Sequence, residues 1–433
     1  MKKLVRWIIM ISCLVILVNV SFVSAQNWPQ WRGPLMTGAA PEGNPPVEWS
    51  EQKNIRWKIP LPGNGYATPA IWGNDIFLTA GISSETGSSG SRGRGMSVRY
   101  TQPVKFVVMC IDRTTGEIKW EHMVREEVPH EGQHPSSTFA TNSPVTDGER
   151  VYFYFGSQGL YCFTVGGDLL WEKDFGDMSK VMQFGEGSSP VLYKNRLIVN
   201  WDHEGQSFIV VLDAVTGDEI WRKNRDEGTT WMTPLIVEVA GKPQVITTAT
   251  SKIRSYDLAT GELVWEDDGL TRNVIPSPVA ADGVVYVLSG FGGFALRAIR
   301  LEEAKGDISG SPAILWAYNQ FTPYTPSPLL LGGNLYFLKS NNGFLTCLNT
   351  ATGQPHYSNQ RLDGISGVYS SPVGVNDRVY VLGRDGVTLV LNNGSEYDVL
   401  ATNTLDDKFD SSPAIAGDEI FLRGYQFLYC IAR

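Results

Sequence analysis

Histidine is scarce in this chain, so the positions of its histidines are the first place to look for chemistry. His130 and His134 lie four residues apart in one segment, and His203 follows Asp202 in another. Imidazole and carboxylate groups bind divalent transition metals, which makes these four residues candidate metal ligands. Histidines in a long loop are more often exposed to solvent than bound to a metal, and we favour that alternative.

Other catalytic patterns are missing from the sequence. It contains no Gly-x-Ser-x-Gly nucleophile elbow, no phosphate-binding P-loop and no dinucleotide-binding glycine fingerprint. We therefore assign no catalytic residue.

A second set of candidates precedes a Ser/Thr-Pro pair that recurs eight times. These candidates are aromatic, amide or charged residues: Tyr66, Asn142, Glu186, Trp231, Arg272, Tyr324, Tyr369 and Asp410. Converging on the mouth of a channel, such groups suit a small polar ligand or an extended peptide. The alternative is that they only pack neighbouring loops together, and the sequence leaves both interpretations open.

The repeat itself predicts the elements that position these residues. After the first interval, the Ser/Thr-Pro pairs recur about every 40 to 50 residues, and each is followed by a strand, a polar turn and a second strand. A third strand ends in Asp-x-x-Thr-Gly-x-x-x-Trp, as in Asp112 to Trp120, Asp213 to Trp221 and Asp257 to Trp265. Four short strands at this period are typical of a propeller blade. We predict an all-β, eight-bladed β-propeller of four-stranded antiparallel blades.

The two ends of the chain predict how the ring closes. The eighth unit stops at Cys430–Arg433 without an outer strand, and Asn54–Ile59 reads as the missing strand. Pairing of these N- and C-terminal strands would leave no open sheet edge.

Six tryptophans recur at one blade position, at the start of the outer strand. We interpret these tryptophans as structural docking groups that pack between blades, rather than as a platform for a ligand, because one ligand cannot touch six outer strands. The tryptophans are Trp57, Trp120, Trp171, Trp221, Trp265 and Trp316.

Four cysteines occupy equivalent positions in different blades: Cys110, Cys162, Cys347 and Cys430. Equivalent positions in neighbouring blades are too far apart for a disulfide bond. We expect four buried free thiols.

Three segments are expected along the chain. Residues 1–25 read as a signal peptide, with a basic start, an apolar run and a small-residue cleavage site. Residues 26–53 form an N-terminal extension, and residues 54–433 form the propeller, with insertions at 80–104 and 121–142. Both insertions fall on the face that carries the channel mouth, which is typical of a binding face.

The signal and the charge limit the location and the partners. We expect a periplasmic or secreted protein without a stable transmembrane span after cleavage; retention of the segment as an anchor is the alternative. A formal net charge of −9 opposes binding to nucleic acid, whose phosphates it would repel.

The repeats resemble those of a known family. The Thr-Gly-x-x-x-Trp pattern is similar to the tryptophan-docking motif of pyrroloquinoline quinone (PQQ) dehydrogenases and BamB-like propellers, and Trp28–Pro34 resembles the start of secreted PQQ-like β-propeller repeat proteins. The resemblance raises PQQ with calcium as a cofactor. The chain lacks the adjacent cysteine pair that those dehydrogenases stack on the quinone, and we expect no cofactor.

Together these features predict a non-catalytic scaffold. Its insertion-bearing face would bind a protein, peptide or polysaccharide, with envelope assembly as one specific role. The alternative is an enzyme, either a quinone-dependent oxidoreductase or a metal-assisted carbohydrate-active enzyme.

Overall fold

The computed structural model describes residues 27–85, 88–89 and 97–433. These residues form an all-β propeller of eight four-stranded antiparallel blades, which confirms the predicted fold. The expected signal peptide lies outside the described residues. No helix in the described part of the chain is long and apolar enough to cross a membrane.

Each blade runs from an inner strand at the channel to an outer strand at the periphery. In that order the strands are: blade 1, Ala70–Trp72, Asp75–Ser83, Val104–Asp112 and Ile118–Glu127; blade 2, Val145–Thr146, Arg150–Tyr154, Leu160–Thr164 and Leu169–Lys173; blade 3, Val191–Tyr193, Arg196–Trp201, Ser207–Asp213 and Glu219–Arg225; blade 4, Leu235–Val239, Lys242–Thr247, Lys252–Asp257 and Leu263–Asp268. The remaining strands are: blade 5, Val279–Ala281, Val284–Ser289, Ala295–Arg300 and Ile314–Ala317; blade 6, Leu329–Leu331, Asn334–Leu338, Phe344–Asn349 and Pro355–Arg361; blade 7, Val373–Val375, Arg378–Leu382, Val387–Asn392 and Val399–Thr404; blade 8, Ala414–Ala416, Glu419–Arg423, Phe427–Ile431 and Ile55–Pro60.

A few short elements supplement the blades. Ala39–Ala40 pairs with the inner strand of blade 7, Gly306–Asp307 pairs with the outer strand of blade 4, and Ser88–Ser89 forms a hairpin with Val98–Arg99. Among the described residues, two short 3-10 helices cover Gly156–Gln158 and Val181–Gln183.

The ring closes as the sequence predicts. Ile55–Pro60 is the outer strand of blade 8 and pairs antiparallel with Phe427–Ile431, with Trp57 opposite Cys430. Cys430 and the cysteines of blades 1, 2 and 6 are free and buried.

The recurring tryptophans pack six of the eight blades onto the next blade. Trp171 of blade 2 donates its indole N–H to the carbonyl of Ala214 in blade 3, at 3.3 Å, and its ring covers Gly217 in the Thr-Gly turn. Gly217 has a φ of +76°, and a methyl group there would lie 2.8 Å from the ring. The turn glycine is therefore needed both for its backbone conformation and for the close approach of the indole. Trp57, Trp120, Trp221 and Trp316 dock in the same way.

Trp265 departs from this pattern. Blade 5 has a longer connection in place of the Thr-Gly turn, and its Gly306–Asp307 strand pairs with Trp265 and Glu266 instead. The Trp265 ring is fully buried, but its indole N–H lacks a hydrogen-bond partner among the described residues.

Strands of blade 1 extend into both segments that were expected as insertions, 80–104 and 121–142. The second strand of blade 1 continues to Ser83, and its third strand begins at Val104. The outer strand of blade 1 runs to Glu127, so the first residues of the expected 121–142 insertion are sheet. The second and third strands of blade 1 form a hairpin that is longer than those of the other blades. The Gly/Ser-rich composition of the loop did not indicate this extra length.

The N-terminal extension folds into the central channel. Trp28 pairs with Ile71 of blade 1 through two backbone hydrogen bonds, and the Arg32 guanidinium reaches across to the carbonyls of Pro328 and Pro372 in blades 6 and 7. Gly38 then accepts a hydrogen bond from the Gly374 amide of blade 7. This segment therefore connects blades 1, 6 and 7 across the channel.

Candidate functional site

A ring of hydroxyl groups surrounds the channel at the start of the inner strands. In seven of the eight Ser/Thr-Pro pairs, the Ser or Thr hydroxyl accepts a hydrogen bond from the backbone N–H of its counterpart in the preceding blade. The Ser189 hydroxyl accepts from the Ser143 N–H at 2.9 Å, and the Ser412 hydroxyl accepts from the Ser371 N–H at 2.8 Å. Thr68 closes the ring by donating to the Ser412 carbonyl. The recurrent Ser/Thr-Pro pair thus joins neighbouring blades at the axis.

Above this ring a cavity of about 120 Å³ opens on the insertion-bearing face, and we call it the funnel. Its floor is Trp31 from the N-terminal extension, whose indole N–H donates to the Ser277 hydroxyl at 3.0 Å. Tyr66, Trp231 and Tyr369 are among its wall residues. The N-terminal segment therefore contributes a lining residue to the cavity at the axis.

A second lobe of about 200 Å³ adjoins the funnel and shares Trp231 and Tyr369 with it. Tyr324, His134 and Glu186 also line it. The Trp231 ring is held in place because its indole N–H donates to the Gly185 carbonyl at 2.7 Å. Rigid aromatic walls of this kind bind ring-shaped or apolar groups at a low entropic cost.

The Asp410 carboxylate lines the funnel and is neutralised by an ion pair with Arg384. Arg384 donates to both of its carboxylate oxygens, at 2.6 and 2.8 Å, and the Tyr425 hydroxyl donates to one of them at 2.6 Å. The Arg384 guanidinium also lies 4.1 Å from the centre of the Tyr369 ring. Tyr66 packs against Tyr425 with ring centroids 5.1 Å apart. Three of the eight expected mouth residues, Tyr66, Tyr369 and Asp410, thus belong to, or contact, one connected cluster.

Glu186 lies between the second lobe and a small cleft that Asn142 also lines. Its carboxylate accepts hydrogen bonds from the Ser157 amide and hydroxyl, at 2.7 and 2.5 Å. Burial raises the pKa of Glu186, although the Ser157 hydrogen bonds and the nearby Lys180 ammonium oppose the shift. Asn142 is buried and donates to the Ser188 carbonyl, so its role in the cleft is to join loops.

Arg272 stands apart from the other mouth residues. Its side chain is exposed on blade 5 and does not line the funnel or its second lobe. The structure therefore brings together Tyr66, Trp231, Tyr369 and Asp410, adds Tyr324 and Glu186 in the adjoining lobe, and leaves Asn142 and Arg272 outside.

Comparison with known proteins assigns the family. A sequence profile described as the outer membrane protein assembly factor BamB matches residues 104–359, more than half of the chain. The chain belongs to the BamB family.

Individual relatives are distant. A tetrathionate hydrolase of Acidithiobacillus ferrooxidans is 20% identical over 75% of this chain and 64% of its own length, and BamB of Francisella salina is 32% identical over 23% of this chain and 18% of its own. The chain thus spans less than two thirds of these curated relatives.

Solved structures share the fold. BamB from Moraxella catarrhalis superposes with a TM-score of 0.58 at 15% identity, covering 87% of this chain and 96% of that one. A europium-containing methanol dehydrogenase gives 0.66 at 10% identity, covering 93% and 90%.

The candidate metal ligands of this BamB-family chain are each engaged elsewhere. Both Asp202 oxygens bond to the Arg225 guanidinium, at 2.8 and 3.1 Å. His130 contacts the Met178 carbonyl, His134 the Ser136 hydroxyl, and His203 accepts a hydrogen bond from the Ser179 amide. No group of three or more His, Cys, Asp or Glu side chains with metal-binding geometry occurs within the described residues. Burial lowers the pKa of both His134 and His203.

Sequence reasoning missed the floor and part of the walls of this BamB-family funnel. Trp31 lies in a segment interpreted only as an extension, and Ser136, Thr141 and Ile275 carry no repeat signal. One available signal was composition, because two tryptophans and an arginine within Trp28–Pro34 are unusual for a solvated linker. Contacts between this segment and five blades depend on the closed ring and could not be read from the chain.

Proposed function

We propose that this protein is an exported binding scaffold whose insertion-bearing face receives a protein, peptide or polysaccharide, with a role in assembly of the cell envelope. The observation that carries the proposal is the funnel, which is lined by aromatic and hydroxyl side chains at the axis and by Ser136 and Thr141 from the expected insertion. Family membership supports it, since the family is described as an outer membrane protein assembly factor.

The chemistry of the funnel supports binding rather than catalysis. Asp410 is paired with Arg384, and Glu186 is held by Ser157, so the carboxylates of the lining already have partners. His134 is bonded to Ser136, and its lowered pKa, caused mainly by burial, keeps it neutral at pH 7. A nearly uncharged pocket of aromatic and hydroxyl groups suits an uncharged polar ligand or a side chain of an extended peptide.

The donor set of the funnel does not fit PQQ. PQQ is a planar tricarboxylic acid, and carboxylates bound in a pocket require cationic or N–H donors. Arg384 is committed to Asp410, and Arg32 lies beneath Trp31 with its guanidinium bonded to carbonyls. Calcium would need several oxygen ligands converging on one point, for which the described carboxylates are not arranged. We therefore derive no reaction through this cofactor.

Titration calorimetry with short extended peptides and short oligosaccharides tests the proposal. We expect one of the two panels to bind, and the Trp231→Ala and Tyr369→Leu variants to weaken that binding at least about tenfold, as for central aromatic contacts. Leu263→Ala is the matched control, because Leu263 is 49% exposed on an outer strand away from the funnel. Dye reduction after reconstitution with PQQ and calcium, abolished by the funnel variants, would overturn the proposal.

A further inference from the structure

A cluster of aromatic side chains lies on the same face, on the loops of blades 5 and 6. Phe291 stacks on Tyr324 with ring centroids 4.6 Å apart, and Phe294 packs against Phe321 at 6.3 Å. Phe291 and Phe294 are 42% and 37% exposed. We call this group, with Phe344, the rim patch. It borders the funnel through Tyr324, which lines the second lobe.

The loop that presents Phe321 is held in a conformation unusual for a bulky residue. Phe321 has a φ of 55° and Ser340, which faces this loop, has a φ of 51°. The left-handed region is disfavoured for aromatic side chains and persists only where surrounding contacts fix it. Here Thr322 provides them, with its amide oxygen accepting from Ser340 and its hydroxyl donating to the Ser289 carbonyl at 2.7 Å. The ring that this strained backbone carries is only partly buried, so core packing does not account for the strain.

Cations lie against these rings. The Lys339 ammonium is 5.0 Å from the centre of the Phe321 ring and 5.5 Å from that of Phe344, and the Arg361 guanidinium is 5.2 Å from Phe344. Arg272 lies beside the loop that carries Phe291, with its Nε 3.6 Å from where a side chain on Gly292 would begin. The aromatic faces hold these charges in fixed positions.

The charges of the rim patch have no acidic partner. Across the described residues, Arg272, Lys339 and Arg361 form no ion pair, whereas nearby cations such as Arg297 and Arg384 do. The chain as a whole has more acidic than basic residues, 45 against 36. A locally unpaired positive patch on an acidic protein is complementary to an anionic partner, and the exposed phenylalanines require that partner to be apolar as well.

We propose that the rim patch docks an acidic segment of a partner protein that also carries aromatic or large aliphatic residues. The apolar side chains of the segment cover Phe291 and Phe294, and its carboxylates pair with Lys339, Arg361 and Arg272. This inference rests on the proposed function in using the same face, but it needs no occupant in the funnel. A membrane surface fits less well, because the acidic remainder of the protein would be repelled by anionic lipid.

Fluorescence anisotropy with a labelled peptide of alternating Glu and Phe residues tests the docking. We expect it to bind at least about tenfold more tightly than the same peptide with Gln in place of Glu, with an affinity that falls as salt is raised. The double variants Phe291→Ala/Phe294→Ala and Lys339→Gln/Arg361→Gln should each lower the affinity at least about tenfold. Equal binding of the Gln peptide, or unchanged binding by both double variants, would overturn the proposal.

Phe321→Gly separates docking from folding. Glycine adopts a φ of 55° without strain, so this variant should melt at the same or a higher temperature while losing peptide affinity. Unchanged affinity in a folded Phe321→Gly protein would count against the rim patch. Binding to phosphatidylglycerol vesicles in preference to the peptide would replace the protein partner by a lipid and overturn the proposal.

The funnel variant Tyr369→Leu distinguishes the two proposals. It should keep the affinity for the acidic peptide, whereas the rim variants should keep the affinity for any funnel ligand. Loss of peptide binding in Tyr369→Leu alone would assign the peptide to the funnel and refute the rim patch. Failure of the funnel variants to affect any ligand, with rim binding intact, would instead refute only the funnel.

Discussion

Trp57, in the first long strand of the chain, lies directly opposite Cys430, three residues before the last residue of the sequence. The indole N–H of Trp57 donates a hydrogen bond to the Arg113 carbonyl of blade 1, at 2.9 Å. One side chain therefore links the two ends of the chain within blade 8 and also joins blade 8 to blade 1. We call the pairing of Ile55–Pro60 with Phe427–Ile431 the seam of the ring. Loss of the Trp57 side chain should weaken this seam.

Trp57→Ala should lower the free energy of unfolding by about 3–5 kcal/mol, as for other buried aromatic side chains cut back to alanine. Urea unfolding followed by tryptophan fluorescence measures the change. Leu169→Ala is the control, since Leu169 is 51% exposed on an outer strand and its loss should cost much less. Equal costs for the two variants would show that the seam does not depend on Trp57.

Two glycines with the same φ allow the cost of backbone strain to be measured apart from the cost of displacing a docked tryptophan. Gly217 and Gly241 both have a φ of +76°, but a methyl group at Gly217 would meet the Trp171 ring at 2.8 Å, whereas one at Gly241 would meet nothing within 4 Å. Gly241→Ala should therefore cost about 1–2 kcal/mol of stability from backbone strain alone. Gly217→Ala should cost at least about 1 kcal/mol more, since the docked indole must move. Thermal and urea unfolding of both variants test this, and similar costs would contradict the docking role of the turn glycine.

The four described cysteines should resist alkylation in the native protein. Burial raises the pKa of Cys162, Cys347 and Cys430 to about 12, and burial also raises that of Cys110. Little thiolate is present at pH 8, and access is blocked. We expect no iodoacetamide labelling of these residues by peptide mapping under native conditions, and labelling of all four in urea without reductant. Absence of labelling in urea would reveal disulfides instead.

The buried Asp202–Arg225 pair should govern part of the acid stability. Burial alone would raise the pKa of Asp202, but the Arg225 charge and the hydrogen bonds to Asp202 outweigh it and lower the pKa. A lowered carboxyl pKa contributes stability above its unfolded value of about 3.9, and that stability is lost as the pH falls through the folded value.

Asp202→Asn should therefore cost about 3–5 kcal/mol at pH 7, because it leaves the Arg225 guanidinium buried and unpaired. The difference from the unsubstituted protein should shrink below about pH 4. Asp174→Asn is the matched control: Asp174 pairs with Arg125 but its side chain is 53% exposed, and surface pairs contribute about 0–1 kcal/mol. Urea unfolding between pH 3 and 8 measures both, and a pH-independent cost for Asp202→Asn would contradict the assignment.

The repeat in the sequence was sufficient to predict the fold but only part of the site. Ser277-Pro278 and its seven counterparts located every inner strand, and the position of Trp57 predicted the closure. The same spacing placed Tyr66, Trp231, Tyr369 and Asp410 at one mouth, because residues equivalent in a repeat occupy equivalent places around the axis. Arg272 stands five residues before its Ser/Thr-Pro pair, farther than the other seven candidates, and its exposed side chain falls outside the funnel.

The sequence by itself determined the eight sheets, their order and their closure, since these follow from local strand patterns repeated at a fixed period. Only the tertiary structure decided that Trp31 forms the floor of the funnel, that Arg384 neutralises Asp410, and that unpaired cations collect at the rim patch. Those contacts join residues with no common period, and they form only when the ring brings distant loops to one face. A repeat encodes its own geometry, but the contacts between its irregular parts depend on the distances that the folded ring creates.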